Sequence, residues 1–341
     1  MVSKERNSSM ELLRIIAMLL VLVVHASFKS LGVPTQGDII EFPLSSFLRF
    51  FSESASIICV NSFILISGWF GIRPKMVRFC EFLFQTLFFG VFVYLSLLTL
   101  GITEKWGIRD WGMLLTFRRG LWFVNSYIIL YIFAPILNSF VENASRQLFQ
   151  KVLIAFFVIQ TFLGFLHEEI LFHDGFSPLS FMGLYLLARY AKLYPTKFTT
   201  QNKHYDMGIY LVITLMTTLL ALSVVRFTGQ GGWVFYTYTS PLVILGSFYF
   251  FLFFTKLSFH SKVVNWIAGS AFAVYLLHVD PLIFQPHYLD PIKEWYSSES
   301  LLPFLGYTTM LIIAAFVISI LIDKIRLFIW SLALKITDKS H

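Results

Sequence analysis

MELLRIIAMLLVLVVHASF, residues 10–28, is a nearly continuous apolar run of the length that crosses a bilayer as a helix. It carries Arg14 and His25, and ionisable side chains at bilayer depth are costly enough that they usually mark function. Eleven residues at roughly 100° each make about three full turns, so the two side chains share one face. About 16 Å separates them along the axis. This spacing predicts a fixed cation near one surface and an imidazole toward the other, which suits a long, thin, anionic ligand.

The composition of the whole chain is that of a membrane protein. Of its 341 residues, 57% are hydrophobic and only 13% are charged. No soluble domain needs so much apolar surface, so we expect an all-α polytopic membrane protein. The net charge of +7 comes from basic residues dispersed among short loops, which argues against nucleic-acid binding. The two cysteines lie in or beside apolar segments and predict neither a disulfide nor a metal site.

Apolar runs of similar length recur, and we predict about ten transmembrane helices in one membrane domain covering 1–341, with no soluble domain. The predicted spans are 10–28, 54–72, 79–101, 121–140, 151–166, 176–193, 207–227, 234–255, 263–282 and 301–322. The first is expected to be an uncleaved helix rather than a secretory signal, because Glu11 and Arg14 are awkward in a signal.

The distribution of basic residues predicts the orientation. With the N-terminus inside, 18 of the 26 Lys and Arg residues fall on the inner side and 8 on the outer side. We therefore expect both termini to be cytoplasmic. Arg109, Arg118 and Arg119 run against this bias.

Two histidines are expected to end at similar depth near the outer face. His25 lies near the end of the first span, and His278 lies late in the ninth. A neutral imidazole suits general base catalysis at neutral pH, so both are candidate catalytic residues. The alternative for His25 is a hydrogen-bonded packing role. For His278 the alternatives are orienting the reacting group or capping the span.

A second group of candidates lies at the inner side. The segment SGWFGIRPK, residues 67–75, closes the second span, and Arg78 opens the third. With Arg14, the side chains of Arg73, Lys75 and Arg78 make four cations that can converge on one patch. Arginine binds phosphate bidentately and lysine binds it as a point charge. Ordinary positive-inside topology is the alternative explanation.

The predicted outer loops are rich in aromatic and acidic residues, with Glu53 among the acids. Flat aromatic faces stack on sugar rings and carboxylates accept hydrogen bonds from hydroxyl groups, so these loops predict a saccharide ligand. An interfacial aromatic belt is the alternative. The acceptor-binding candidates are Trp122, Tyr236, Tyr238 and Glu41.

Four stretches resemble, in family order, motifs of the acyltransferase-3 integral membrane acyltransferases. They are the Arg14-x10-His25 helix, the apolar-Ser-Gly-Trp segment 63–69, the Trp-Phe…Tyr…Pro segment 121–135 and the Ser…Tyr-Leu-x-His segment 270–278. The resemblance covers roughly residues 6 to 325. It implies ten spans and transfer of an acyl group, commonly acetyl, to hydroxyls of cell-surface glycans.

The resemblance also implies roles for single residues. The family's essential arginine and histidine fall on Arg14 and His25. Its basic cluster after the second span is matched in kind, but not in exact spacing, by Arg73, Lys75 and Arg78. Some members carry an additional outer hydrolase-like domain, and we expect none in this chain. We therefore expect it to act alone or with a partner, either a second copy of itself or glycan-assembly proteins.

Together these features predict a membrane O-acetyltransferase with acetyl-CoA as co-substrate and no bound cofactor or metal. The inner cations would hold the CoA phosphates, and the pantetheine arm would run along the first helix to His25. There His25 would act as a general base or accept the acetyl group covalently. The expected acceptor is a cell-surface or lipid-linked glycan on the outer face of a bacterial plasma membrane.

Two rival hypotheses stay open at this point. The first is a transporter or flippase of a lipid-linked sugar, because intramembrane charges and about ten spans fit that class too. The second keeps the enzyme class but changes the donor, for example to succinyl-CoA, or the acceptor, for example to an antibiotic or a sterol. The size of the pocket near His25 decides which donor and which acceptor fit, and the sequence does not give that size.

Overall fold

The computed structural model describes residues 6–117 and 120–338, and every regular element in this part of the chain is helical. The prediction of an all-α polytopic membrane protein is therefore confirmed. Arg118 and Arg119, two of the basic residues assigned to the outer side, lie outside the described residues.

The α-helices are α1 (Ser8–Val24), α2 (Gln36–Glu41), α3 (Pro43–Ser56), α4 (Cys59–Phe70), α5 (Met76–Thr99), α6 (Ile108–Leu115), α7 (Trp122–Asn143), α8 (Arg146–Ile159), α9 (Pro178–Leu193), α10 (Lys197–Thr200), α11 (Lys203–Thr228), α12 (Pro241–Thr255), α13 (Lys262–Ala268), α14 (Ala271–His278), α15 (Pro281–Ile283), α16 (Asp290–Ser298) and α17 (Leu301–Asp338). Short π-helical or 3-10 turns occupy His25–Lys29, Gln160–Leu166, His173–Gly175, Gly232–Tyr236 and Phe284–Leu289.

Eight helical segments of the described chain are long and apolar enough to cross a membrane. They are Ser8–Lys29, Pro43–Phe70, Met76–Thr99, Trp122–Asn143, Arg146–Leu166, Lys203–Thr228, Gly232–Thr255 and Leu301–Lys335. A ninth forms if Lys262–His278 and Pro281–Ser298, which are bent by 64° at the break, make one span.

Helices occupy all ten predicted spans, but the sixth is short. Helix α9 has 16 residues. At about 1.5 Å per residue it reaches about 24 Å, less than the ~30 Å of a hydrocarbon core. The second predicted span starts too late, because its helical segment begins at Pro43. The number ten and the cytoplasmic termini stay predictions.

Contacts divide the chain into two compact units that alternate along the sequence. The first unit comprises 1–73 and 125–262, and the second comprises 74–124 and 263–341. Helix α7 starts in the second unit and continues into the first. The single membrane domain over 1–341 stays a prediction.

The first unit is built around α4, which packs against α1, α9 and α12. Gly68 allows a close approach of α4 to α9, because a Cβ there would collide with the Tyr185 carbonyl oxygen and with Ala188. Helix α11 packs against α3 and α12. An ion pair of 2.5 Å between the half-buried Lys256 and the buried Asp206 joins the end of α12 to the first turn of α11.

The second unit is centred on α14, which packs against α5 and α17. Within α17, Arg326 Nε donates to Asp323 Oδ1 at 2.7 Å, and both side chains are buried. Gln85 of α5 donates to the same Asp323 oxygen at 2.9 Å. Because buried charges are tolerated only when they are paired and hydrogen-bonded, this triad holds α5 against α17.

Candidate functional site

Arg14 lies on the regular part of α1. Its Nη1 pairs with Glu11 Oε1, three residues earlier, at 2.6 Å, and its side chain is 35% exposed. Because α1 is regular from Ser8 to Val24, the rise from Arg14 to His25 is about 16 Å. Because its side chain is only half-buried, the cation can be reached by a ligand.

His25 begins a π-helical turn that ends α1. Within this turn Ser27 leaves helical geometry, with φ −89° and ψ −109°. The backbone N–H of Phe28 donates to Oε2 of Glu53, a residue of α3, at 3.3 Å. Glu53 is only 3% exposed. π-helical insertions are often found at functional sites, and here a buried side-chain oxygen of Glu53 accepts a hydrogen bond from the backbone of the distorted turn.

Aromatic rings support the same turn. Phe28 meets Tyr236 edge-on with ring centroids 5.0 Å apart, and it meets Phe50 of α3 edge-on at 5.6 Å. Tyr236 is buried, and its hydroxyl donates to the Phe50 carbonyl at 3.3 Å. The Ser54 hydroxyl in turn donates to the Tyr236 hydroxyl at 3.2 Å. The C-terminal end of α1 is therefore fixed by side chains distant in sequence.

The support that Glu53 gives to this turn is not predicted by the sequence. A second span that begins at residue 54 places Glu53 in an outer loop. The helical spacing of apolar residues continues back to Pro43, and this pattern could have placed Glu53 on a buried helix face.

Three of the family-like segments meet within the first unit. The Tyr127 hydroxyl of α7 lies 3.3 Å from the Ser67 hydroxyl of α4. Ser67 also donates to the Phe63 carbonyl within its own helix at 3.0 Å. Helix α4 also packs against α1, the helix that carries Arg14. The fold therefore brings the apolar-Ser-Gly-Trp segment and the Trp…Tyr…Pro segment together beside α1.

A closed ring of three hydrogen bonds fixes the corner where α4 ends. The chain turns at Gly71, whose φ of +74° favours glycine. The Ile72 N–H donates to the Tyr185 hydroxyl at 3.0 Å, and that hydroxyl donates to Asn138 Oδ1 at 2.6 Å. Asn138 Nδ2 donates back to the Ile72 carbonyl at 2.8 Å. Helices α7 and α9 therefore set the direction in which the chain leaves α4.

Two cations of α9 lie at this corner. Lys192 Nζ donates to the Trp69 carbonyl at 2.7 Å. The Nη1 atom of Arg189 lies 3.1 Å from the point that a Cβ on Gly71 would occupy. From the sequence they were only two of the inner basic residues. Their i, i+3 spacing, which puts both on one face of α9, was the available signal.

The other cation candidates are exposed and are divided between the units. Arg73 is the last residue of its segment of the first unit, whereas Lys75 and Arg78 belong to the second. Lys75 is the extended residue that precedes α5. Convergence of these three cations with Arg14 stays a prediction.

His278 is the last residue of α14, directly before the 64° bend. It is 1% exposed, and its Nδ1 lies 2.6 Å from the Val274 carbonyl oxygen. Because a carbonyl only accepts, Nδ1 carries a proton and donates it to this hydrogen bond. Asp280 caps the next short helix by accepting from the Leu282 N–H at 3.0 Å. The catalytic role of His278 beside His25 stays a prediction.

The four acceptor-binding candidates differ in exposure. Tyr236 and Tyr238 are buried within the first unit at 7% and 8% exposure, so neither ring presents an open face in this conformation. Trp122 is half-buried at the start of α7, edge-on to Phe123. Glu41, at the end of α2, is exposed. Sugar binding by these four residues stays a prediction.

The fold and the site define a polytopic, all-helical membrane protein with an accessible cation and an imidazole about three turns apart on its first helix. A model of the acyltransferase-3 family, described as an acyltransferase domain, matches residues 7–324. The chain belongs to this family and is a membrane acyltransferase. No curated protein and no solved structure matches it significantly.

Proposed function

We propose that this acyltransferase moves an acetyl group from cytoplasmic acetyl-CoA to a hydroxyl of a cell-surface or lipid-linked glycan on the outer face of a bacterial plasma membrane. The observation that carries the proposal is the arrangement on α1. Arg14 is accessible at one end, and His25 begins a fixed, distorted turn about 16 Å away. That distance is comparable to the length of the pantetheine arm that separates the CoA phosphates from the thioester.

In the proposed donor complex, Arg14, Arg73, Lys75 and Arg78 hold the phosphates. Each arginine forms charge-assisted hydrogen bonds, and Lys75 adds a point charge. Membership in an acyltransferase family favours this role over transport of a lipid-linked sugar.

Two chemical routes are open to His25. As a general base, its imidazole takes the proton of the acceptor hydroxyl while the oxygen attacks the thioester carbonyl. The C–S bond then breaks, and CoA leaves as a thiolate that takes up a proton. As a nucleophile, the imidazole itself attacks the thioester carbonyl, the C–S bond breaks and CoA leaves as a thiolate. In a second step the acceptor hydroxyl attacks the acyl group on the imidazole, the C–N bond breaks, and the hydroxyl proton passes to the CoA thiolate. The buried Glu53–Phe28 contact keeps the histidine turn in place in either route.

The test is the release of free thiol from acetyl-CoA by the purified protein in lipid nanodiscs. Wild type is compared with His25→Ala, and succinyl-CoA is tested in parallel as a donor. We expect thiol release from acetyl-CoA that depends on His25, even when water is the acceptor. Wild-type protein that neither binds nor consumes any acyl-CoA would overturn the proposal.

The acceptor is tested separately. Radiolabelled acetyl-CoA is supplied on one side of sealed proteoliposomes, and a panel of glycans is supplied on the other. Transfer of label to a glycan across the membrane is the expected result. Transfer only to acceptors on the donor side would disprove the proposed sidedness. The assay repeated at several protein densities, with and without cross-linking, shows whether a second copy or another partner is needed.

A further inference from the structure

Arg189 carries a charge that the described residues do not neutralise. Its Nε is buried and has no hydrogen-bond partner. Within residues 6–117 and 120–338, no carboxylate makes an ion pair with it. A guanidinium has five N–H donors and no acceptor, so the group it needs is an anion or a set of acceptor oxygens.

The surroundings of Arg189 favour an anion with several charges. Lys192 follows one turn later, with its Nζ on the Trp69 carbonyl. Arg73 is exposed two residues after Gly71, the residue beside which the guanidinium lies. Asn138 and Tyr185, the side chains that close the corner, are neutral and already bonded to each other. Two cations at this corner, with a third close by in the chain, match a phosphate better than a single carboxylate.

The absence of a side chain at Gly71 makes room for the guanidinium of Arg189. A Cβ at this position would lie 3.1 Å from Arg189 Nη1, closer than ordinary van der Waals contact. The φ of +74° at Gly71 also disfavours any other residue. The corner is therefore built so that the end of α4 and the guanidinium of α9 lie against each other.

We propose that Arg189 binds a phosphate of the acyl-CoA donor at the end of α4. This inference rests on the proposed function and adds a residue that lies outside the Arg14, Arg73, Lys75 and Arg78 set. The guanidinium and the neighbouring cations form charge-assisted hydrogen bonds to phosphate oxygens, and the acyl end of the donor is then directed away from the corner.

The experiment measures the dissociation constant of CoA for the whole protein in lipid nanodiscs. Arg189→Gln is compared with Arg189→Lys and with Arg146→Gln. Arg146 is a matched control because it lies near the same end of α9, over the Tyr194 ring at 5.6 Å, and none of its atoms is among the nearest neighbours of a Cβ on Gly71. The thermal unfolding temperature of each variant without CoA reports the integrity of the fold.

We expect Arg189→Gln to weaken CoA binding about tenfold, because one charge-assisted contact is lost. Arg189→Lys should lose less, and Arg146→Gln should stay within about twofold of wild type. The three variants should unfold at the same temperature without CoA.

Three outcomes overturn the assignment in distinguishable ways. If Arg189→Gln binds CoA as wild type does, Arg189 is not a phosphate ligand, although the proposed function stands. If its weaker binding comes with a lower unfolding temperature that Arg146→Gln lacks, the role of Arg189 is structural. If the wild-type protein neither binds CoA nor releases free CoA thiol from acetyl-CoA, the proposed function itself fails.

Discussion

The two ends of α1 hold their ionisable side chains in opposite ways. Arg14 sits on a regular helix, is 35% exposed and pairs with Glu11 of its own preceding turn. His25 begins a distorted turn whose backbone bonds to Glu53, 25 residues away from Phe28 in sequence. An exposed cation with a local partner adapts to a ligand at little cost. A turn held by buried, distant groups is fixed, as positioning a reacting group requires.

The largest effect should come from the fixed end. We expect His25→Ala to lower thiol release from acetyl-CoA by at least about 100-fold, because general acid–base groups typically contribute that much. The affinity for CoA should stay within about twofold, since the phosphates are held elsewhere. Turnover and CoA affinity are measured in parallel to check that turnover falls while affinity does not. Turnover near that of wild type would remove His25 from the mechanism.

Glu53 should have the next largest effect. Glu53→Ala removes the acceptor of the Phe28 N–H, and we expect kcat to fall about tenfold while KM for acetyl-CoA stays the same. Glu53→Gln keeps a carbonyl acceptor and should recover most of the activity. Glu142→Ala, an exposed acid at the end of α7, is the matched control. Equal losses in the Ala and Gln variants would show that charge, and not the hydrogen bond to the turn, is what matters.

Arg14→Ala tests the adaptable end. Loss of an exposed phosphate contact should raise KM for acetyl-CoA about tenfold and change kcat by less than about twofold. Arg14→Lys should show a smaller rise in KM, because the charge remains but the bidentate geometry is lost. Steady-state kinetics over a range of acetyl-CoA concentrations gives both parameters. An unchanged KM would show that Arg14 does not bind a phosphate of the donor.

The smallest effect is expected at Tyr127. Tyr127→Phe removes the hydroxyl 3.3 Å from Ser67 and should lower the free energy of unfolding by about 0.5–1.5 kcal/mol, with little change in kcat. A double-mutant cycle with Ser67→Ala, followed by denaturant unfolding in detergent, measures the coupling. Coupling energy near zero would show that the two hydroxyls do not stabilise this part of the site.

Part of the candidate site was predictable. The spacing of Arg14 and His25 follows from helical periodicity alone, and the segments that contain Ser67 and Tyr127 stand out as motifs. Their meeting could not be derived from spacing, because it depends on which faces of α1, α4 and α7 pack together. The burial of Tyr236 and Tyr238 was also unpredictable, since a tyrosine in a loop-like segment is equally compatible with an open platform and with a packed core.

The sequence by itself determined the all-helical membrane class and the spacing of the cation and the imidazole. Both depend on composition and on neighbours within a few turns, which local patterns encode. Only the tertiary structure decided that Glu53 supports the histidine turn, that Asn138 and Tyr185 close the corner at Ile72, and that Arg189 lies against Gly71. These contacts join helices far apart in the chain, and their existence depends on the packing of several helices at once.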